Sequence, residues 1–289
     1  MKFAFISEES VAFPVSVLCR VLEVSKSGYY AWTGRPPSRH LERDADLRAQ
    51  IRTAYQASAG RYGSPRVHAD LRAKRQRVGR KRVARLMRED LLVGRTRRRF
   101  RTTTDSNHPF PIAPNLLKRN FTTTAPDKVW VTDITAIWTA QSWLYLAVIL
   151  DLFSRKVVGW ATSQNVDRHL ALAALTNAIR DRRPPAGLVH HSDRGSTYAS
   201  GDYRKALRAH GVRCSMSRKG DCFDNAVAES FFASLKREVV ELDMLASHEQ
   251  GTAVIAAYID TFYNLRRRHS TIGYKSPIEF ELINQSQAA

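Results

Sequence analysis

Residues 128–139, KVWVTDITAIWT, decide the fold. Branched and aromatic side chains dominate the stretch, a composition suited to a pleated, half-buried surface. One carboxylate, Asp133, sits in their midst, flanked by Trp130, Val131, Ile134 and Ile137. An acid in such surroundings is costly unless a cation or a set of hydrogen-bond donors answers it. The segment therefore reads as a strand carrying a functional acid. Towards the C-terminus, SWLYLAVILDLF (142–153) and RKVVGWATS (155–163) read as two further strands, spaced closely enough for an antiparallel meander. A helix over 168–183 stops before Pro184–Pro185. GLVHHS (187–192) is a short buried-type strand, 201–211 a helix closed by Gly211, and VRCSMS (212–217) another short strand. Residues 224–244 and 248–266 have helical patterning. Three strands followed by alternating helices and strands predict an α/β protein with a mixed sheet.

Upstream of Asp127 the composition changes. Residues 94–126 read as a basic linker: it opens GRTRRRFRTTT, and Pro109, Pro111, Pro114 and Pro126 punctuate it without sustained periodicity. Such a tether, with Arg97, Arg98 and Arg99, can lie along a phosphate backbone. Within 57–93, RYGSPRVHADL starts a helix with Ser64 as cap and Pro65 in the first turn. After a turn at Val78–Gly79 comes RKRVARLMRED, in which Val83, Leu86 and Met87 face a core while Arg80, Lys81, Arg82, Arg85 and Arg88 point outward. Two helices about a short turn, the second basic, have the form of a DNA-reading pair; the alternative is a solvated basic face. A helix is expected from about Leu41 to Tyr55. Residues 14–32 form a second helix-turn-helix candidate, with Ser25 as a cap, or else a plain packing pair. The expected organisation is a helical region over 1–56, a basic helix-turn-helix-like region over 57–93, the linker over 94–126, and a catalytic core with a basic C-terminal helix over 127–289.

The charge is unevenly spread. The 289 residues carry +19, but residues 1–126 hold 26 basic and 10 acidic side chains against 20 and 17 in residues 127–289. A polyanion is the natural partner of the first half, because Lys and Arg displace condensed counterions from phosphates. No apolar run approaches the roughly 18 residues that span a membrane, and the opening MKFAFISEES lacks a secretory core, so a cytoplasmic location is expected. Cys19, Cys214 and Cys222 are scattered and form no C-x-x-C pair, which argues against structural zinc.

Two more acids complete a set with Asp133. Asp193 follows the GLVHHS strand and precedes Arg194–Gly195; Glu229 lies in a helical stretch with Asn225 four residues before it and Lys236 seven after, offsets that share a helix face. Carboxylates brought together from strand ends and a helix make an oxygen-only donor set, suited to Mg²⁺ or Mn²⁺. Two such ions would clamp the attacking and leaving oxygens of a phosphoryl transfer. Asp151 is the rival acid, but Ser154–Arg155 follow it and a turn-capping role is simpler; Asp127 and Asp224 also suit capping. His190 and His191 face opposite ways on one strand, so at most one can reach the site. Arg266, Arg267 and Arg268 make a basic cluster near a helix end, read as a DNA-backbone contact.

WVTDITAIW, HHSDRGSTYAS, GDCFDNAVAESFFASLKRE and YIDTFYNLRRRHSTIGYKSP, in this order, resemble the retroviral-integrase-like DDE transposases of bacterial insertion sequences, most of all their second-frame (OrfB) product. Thirty-five residues separate Asp193 from Glu229, the usual gap of that family. RYGSPRVHADL and RVARLMRED also match, so the resemblance spans nearly the whole chain. It implies a ribonuclease-H-like core in which Asp133, Asp193 and Glu229 bind two divalent ions. It also implies Lys236 near the DNA ends, a homo-oligomer on double-stranded DNA, and a partnership or fusion with the upstream-frame protein (OrfA). Two other functions stay open from the residues alone: a DNA-binding regulator with a degenerate core, and a nuclease acting on RNA–DNA hybrids.

Overall fold

Serine caps set the starts of two N-terminal helices. In the computed structural model, which describes residues 2–36, 38–94, 109–218, 225–240 and 245–286, Ser25 and Ser38 accept hydrogen bonds from Gly28 N and Leu41 N. They open α3 (Lys26–Thr33) and α4 (Arg39–Ala57). With α1 (Lys2–Glu9) and α2 (Val15–Val21), α3 makes a small unit around Ile6, Leu18, Cys19 and Tyr29.

Two further helices follow, α5 (Ser64–Ala73) and α6 (Arg80–Glu89). Gly63, rather than Ser64, holds the cap position of α5, and Ser64 and Pro65 are its first helical residues. As expected, Val83, Leu86 and Met87 are the buried face of α6. Leu47 and Ile51 of α4 are buried with Val67, Leu71, Val83 and Leu86, so α4 belongs with α5 and α6 in a three-helix unit.

The sheet has order β3-β2-β1-β4-β5, from β1 (Val129–Trp138), β2 (Trp143–Asp151), β3 (Val157–Ser163), β4 (Val189–Ser192) and β5 (Arg213–Met216). The first three form the antiparallel meander, and β4 and β5 run parallel to β1. On one face lie α7 (Arg168–Arg182), α8 (Ser196–Ala199) and α9 (Gly201–Ala209), packed on Trp130, Ile149 and Val158. Gly159 lets α7 approach β3 closely: a Cβ there would stand 2.4 Å from the Ala174 carbonyl oxygen. The other face carries α10 (Ala226–Leu235) and α11 (His248–Ala256). Each of these continues into a π-helical turn, over Lys236–Val240 and Ala257–Tyr263, within the two stretches expected to be helical. The C-terminal helix is α12 (Pro277–Ser286).

The three-helix unit is not held by a tether alone. Its apolar residues and Val131, Phe231, Tyr258 and Phe262 form one continuous core. Of the expected linker, residues 95–108 lie outside the described residues. Residues 109–126 run without helix or strand but bury Ala113 and Leu117 against the sheet domain, and the Leu116 N–H donates to Ser215 Oγ at 2.9 Å.

Candidate active site

Strand register brings the first two acids together. In the parallel β1–β4 ladder the last pair is Val131 with His191, and Asp133 and Asp193 each stand two residues beyond it. Side chains two apart on a strand share a face, so Asp133 shares the face of Val131, which α10 covers; Asp193 follows directly on the end of β4, the neighbouring strand, and its charge reaches Asp133. The Asp193 carboxylate accepts from Gly195 N at 2.8 Å, which fixes the turn that leads into α8. Asp133 Oδ1 accepts from the Ile134 N–H, also at 2.8 Å. Glu229 comes from the first turn of α10, which Asn225 precedes at the cap position.

The electrostatics tie the set together. Burial pushes the Asp133 carboxyl well above the usual carboxylate range, and the charges of Asp193 and then Glu229 push it further, against the Ile134 N–H and the Lys236 ammonium. Lys236, partly buried, is itself pulled below the usual lysine range by burial, with Asp133 opposing. Three acids and one lysine thus feel one another at a single place. Asn225 is buried nearby: its Nδ2 donates to the Thr132 carbonyl at 3.1 Å, while its Oδ1 is buried without a hydrogen-bond partner. An oxygen-only donor set under mutual repulsion, beside an unanswered buried acceptor, fits a hard divalent cation. Among the described residues, no three His, Cys, Asp or Glu side chains stand as a preformed cage around one ion.

The rival residues are used structurally. Asp151 is fully buried and accepts from Phe153 N, Ser154 N and Asp127 N, the turn role expected of it. Asp127 does not cap a helix: it accepts from the Trp130 indole at 3.0 Å and pairs with Arg182 at 2.8 Å. Asp224 lies outside the described residues. His190 is buried against the Tyr203 hydroxyl at 3.0 Å, and burial, with His191 beside it, pushes its imidazole down to about 3. His191 is bound between Ser215 and Ser217.

The basic residues separate into three groups. Arg80, Lys81 and Arg88 are exposed on α6, and Arg266 is exposed near the C-terminal cluster. Arg82 and Arg85 are both hydrogen-bonded to Asp44 of α4, and Arg268 to Asp70 of α5. Arg267 corrects the expected cluster: it is 3% exposed and bound to Glu238, so it faces no phosphate. Arg97, Arg98 and Arg99 lie outside the described residues. The Glu238–Arg267 pair escaped sequence reasoning, because Arg267 sits in a run of three arginines and its partner is 29 residues away.

Comparison with known proteins agrees with this layout. Models of an integrase core domain match residues 123–222 and 210–277, and an HTH-like domain matches residues 42–100. The chain is 44% identical over 263 residues to the 31 kDa protein of insertion element IS600 from Shigella sonnei, covering 91% of this chain and 97% of that protein. It is 39% identical over 283 residues to the transposase InsF of insertion sequence IS3A from Escherichia coli K12, covering 97% and 98%. Among solved structures, the magnesium complex of the HTLV-2 integrase catalytic core is 16% identical with a TM-score of 0.42, covering 54% of this chain and 97% of that one.

Proposed function

The chain belongs to the transposases of IS3-type insertion sequences, and from that premise we propose that Asp133, Asp193 and Glu229 are its catalytic carboxylates and hold its divalent metal. The enzyme is a DDE-type polynucleotidyl transferase with a ribonuclease-H-like core, acting in DNA transposition. The observation that carries the assignment is that Asp133 and Asp193 each stand two residues past the last pair of the β1–β4 ladder, with Asp193, Glu229 and Lys236 in electrostatic reach of Asp133.

In this reading the three carboxylates hold two Mg²⁺ ions, with Mn²⁺ as a substitute. When bound, such ions lower the charge repulsion at a phosphodiester and activate the attacking hydroxyl. The chain's own residues do the rest. Asp133 and Asp193 are fixed by the two strands and by backbone N–H groups, so their oxygens need little reorganisation. Lys236 supplies a compact positive charge beside them and contacts DNA near the scissile phosphate. Arg80, Lys81 and Arg88, with Arg266, bind the duplex backbone of the element ends or the target. The protein works as a homo-oligomer on double-stranded DNA, with the upstream-frame protein (OrfA) or a fusion to it, in the bacterial cytoplasm at the nucleoid. Residues 1–93 bind DNA, and residues 127–289 cut and join it.

The test is strand transfer on a pre-cut element end in Mg²⁺. Asp133→Asn, Asp193→Asn and Glu229→Gln each abolish joining while leaving duplex affinity nearly unchanged, because they remove ion ligands and not phosphate contacts. Lys236→Ala lowers joining strongly, and Lys236→Arg is only partly tolerated, because a planar guanidinium replaces a compact point charge. Full joining by Glu229→Gln would remove Glu229 from the set.

A further inference from the structure

Thr132 is the residue before Asp133, and its side chain turns to the opposite face of β1. It is 1% exposed. Its hydroxyl is 2.7 Å from the Val148 carbonyl oxygen and 3.2 Å from the Tyr198 hydroxyl. A carbonyl can only accept, so Thr132 spends its one proton on Val148, and Tyr198 must donate to Thr132. Val148 is the register partner of Asp133 on β2, and Tyr198 belongs to α8, which the Asp193–Gly195 turn introduces.

The backbone of Thr132 makes the third tie. The β1–β4 ladder ends one residue earlier, at Val131. At the next position the Asn225 side chain takes the place of a strand and donates to the Thr132 carbonyl at 3.1 Å. That carbonyl is part of the peptide unit leading into Asp133. Asn225 itself stands at the start of the helix that bears Glu229. One buried residue therefore ties together the elements that deliver the acids: it belongs to the strand of Asp133, and it bonds to Tyr198, which follows the Asp193 turn, and to Asn225, which opens the Glu229 helix.

We propose that Thr132 is the positioning residue of the active site, acting through Tyr198 and Asn225 to hold the three carboxylates at the spacing that binds divalent metal. This rests on the assignment of Asp133, Asp193 and Glu229 as the metal-binding acids. Buried polar groups that are fully paired rigidify a unique arrangement, and supporting partners of this kind tune metal affinity by about 10–100-fold when removed. Tyr198 is held in turn, with its ring edge-on to Tyr203 at 5.3 Å between centroids.

The test uses the full chain with two readouts: Mn²⁺ binding by calorimetric titration, and the Mg²⁺ concentration giving half-maximal strand transfer. Tyr198→Phe removes one oxygen, and Thr132→Val removes the hydroxyl at nearly constant volume. Each is expected to weaken Mn²⁺ binding and raise the Mg²⁺ midpoint by about tenfold. The double variant should be little worse than the poorer single one, because both break the same bond. Asn225→Ala breaks a different bond, and its effect should multiply with that of Tyr198→Phe. Thr132→Ser keeps the hydroxyl and should recover most of the loss. If Asn225→Ala does not fold, Tyr198→Phe and Thr132→Val still decide the matter. Wild-type Mn²⁺ affinity and Mg²⁺ midpoint in Tyr198→Phe, with only a lowered melting temperature, would reduce the network to core packing. Failure of the unaltered protein to bind Mn²⁺ would instead sink the carboxylate assignment.

Discussion

Arg267 donates to both carboxylate oxygens of Glu238, from Nη2 to Oε1 at 2.7 Å and from Nε to Oε2 at 2.9 Å, with both side chains buried. Glu238 lies in the π-helical turn that begins at Lys236. The Tyr258 hydroxyl donates to Glu238 at 2.8 Å, Arg66 of α5 is 3.6 Å away, and Arg61 donates to the Glu238 carbonyl. The pair thus joins the three-helix unit, the π-helical turn that ends α10 and the C-terminal arginine run.

Removing one partner of such a pair leaves a buried charge alone, which typically costs about 3–5 kcal/mol. Glu238→Gln and Arg267→Met should therefore each lower the denaturant midpoint markedly, and the double variant Glu238→Gln/Arg267→Met should recover part of the loss. Acid titration supplies a second check. Burial pushes the Glu238 carboxyl up, but Arg267, with Arg66 and the Tyr258 hydroxyl, pulls it further down, so it ends below the usual carboxylate range. A depressed folded value means stability that is complete above the unfolded glutamate range, about 4.3, and lost as pH falls through the folded value. An equally acid-resistant Glu238→Gln variant would argue against the pair as the source.

The strands and Asp133 were legible in the sequence because each leaves a local mark: branched and aromatic runs, and a carboxylate where apolar residues dominate; Asp193 and Glu229 stood out only by their order and spacing. What stayed hidden depends on partners far along the chain. Arg266, Arg267 and Arg268 look alike in sequence, yet one is exposed, one buried against Glu238 and one bound to Asp70. The partner of Arg82 and Arg85, Asp44, lies about forty residues upstream on α4, and so these arginines read as free. The π-helical turns have no compositional signature, since a widened turn uses ordinary helix formers. The role of Thr132 was invisible for a similar reason: in sequence it is one more strand threonine.

Asp133 predicts an unusual pH response. Its carboxyl is raised by burial, then by Asp193 and Glu229. A raised folded value gives stability that is complete below the unfolded aspartate range, about 3.9, and lost as pH rises through the folded value. In chelator, the melting temperature should therefore carry a downward component with rising pH. Asp133→Asn should flatten it and raise the melting temperature near neutrality while abolishing joining. Asp151, also raised by burial, contributes a slope of the same sign that the substitution leaves in place. An unchanged pH slope in Asp133→Asn would show that the acids do not burden the metal-free fold.

Gly159 is a packing prediction with an internal control. A Cβ at this position would lie 2.4 Å from the Ala174 carbonyl oxygen and 2.6 Å from the Ala178 Cβ, so α7 must move off the sheet. Overpacking of this kind costs about 1–3 kcal/mol. Gly159→Ala should lower the urea midpoint with little change in slope. A Cβ at Gly201, the first residue of α9, meets nothing within 4 Å. Gly201→Ala should be neutral or slightly stabilising, and equal effects at the two positions would contradict the close approach of α7 to β3.

Under the proposed function, the basic residues of α6 divide into those available to DNA and those already engaged. Arg80, Lys81 and Arg88 are exposed and form no ion pair among the described residues. Arg82 and Arg85 each reach Asp44 at 2.7 Å, and Arg85 also reaches Glu89 at 2.7 Å. A phosphate must compete with those carboxylates before it can use Arg82 or Arg85, whereas it meets the other three directly. Each Arg or Lys that contacts a phosphate contributes about one to the slope of log affinity against log salt. Arg80→Ala, Lys81→Ala and Arg88→Ala in the full chain should each lower that slope by about one. Arg85→Ala should change it less. Asp44→Asn releases Arg82 and leaves Arg85 only its Glu89 pair, and it should steepen the slope and tighten binding, without touching the DNA itself. The measurement is fluorescence anisotropy of a labelled duplex across about 50–200 mM salt. Loss of slope confined to Arg82→Ala and Arg85→Ala, with Asp44→Asn unchanged, would mean that the ion pairs open on DNA and that the exposed residues are bystanders.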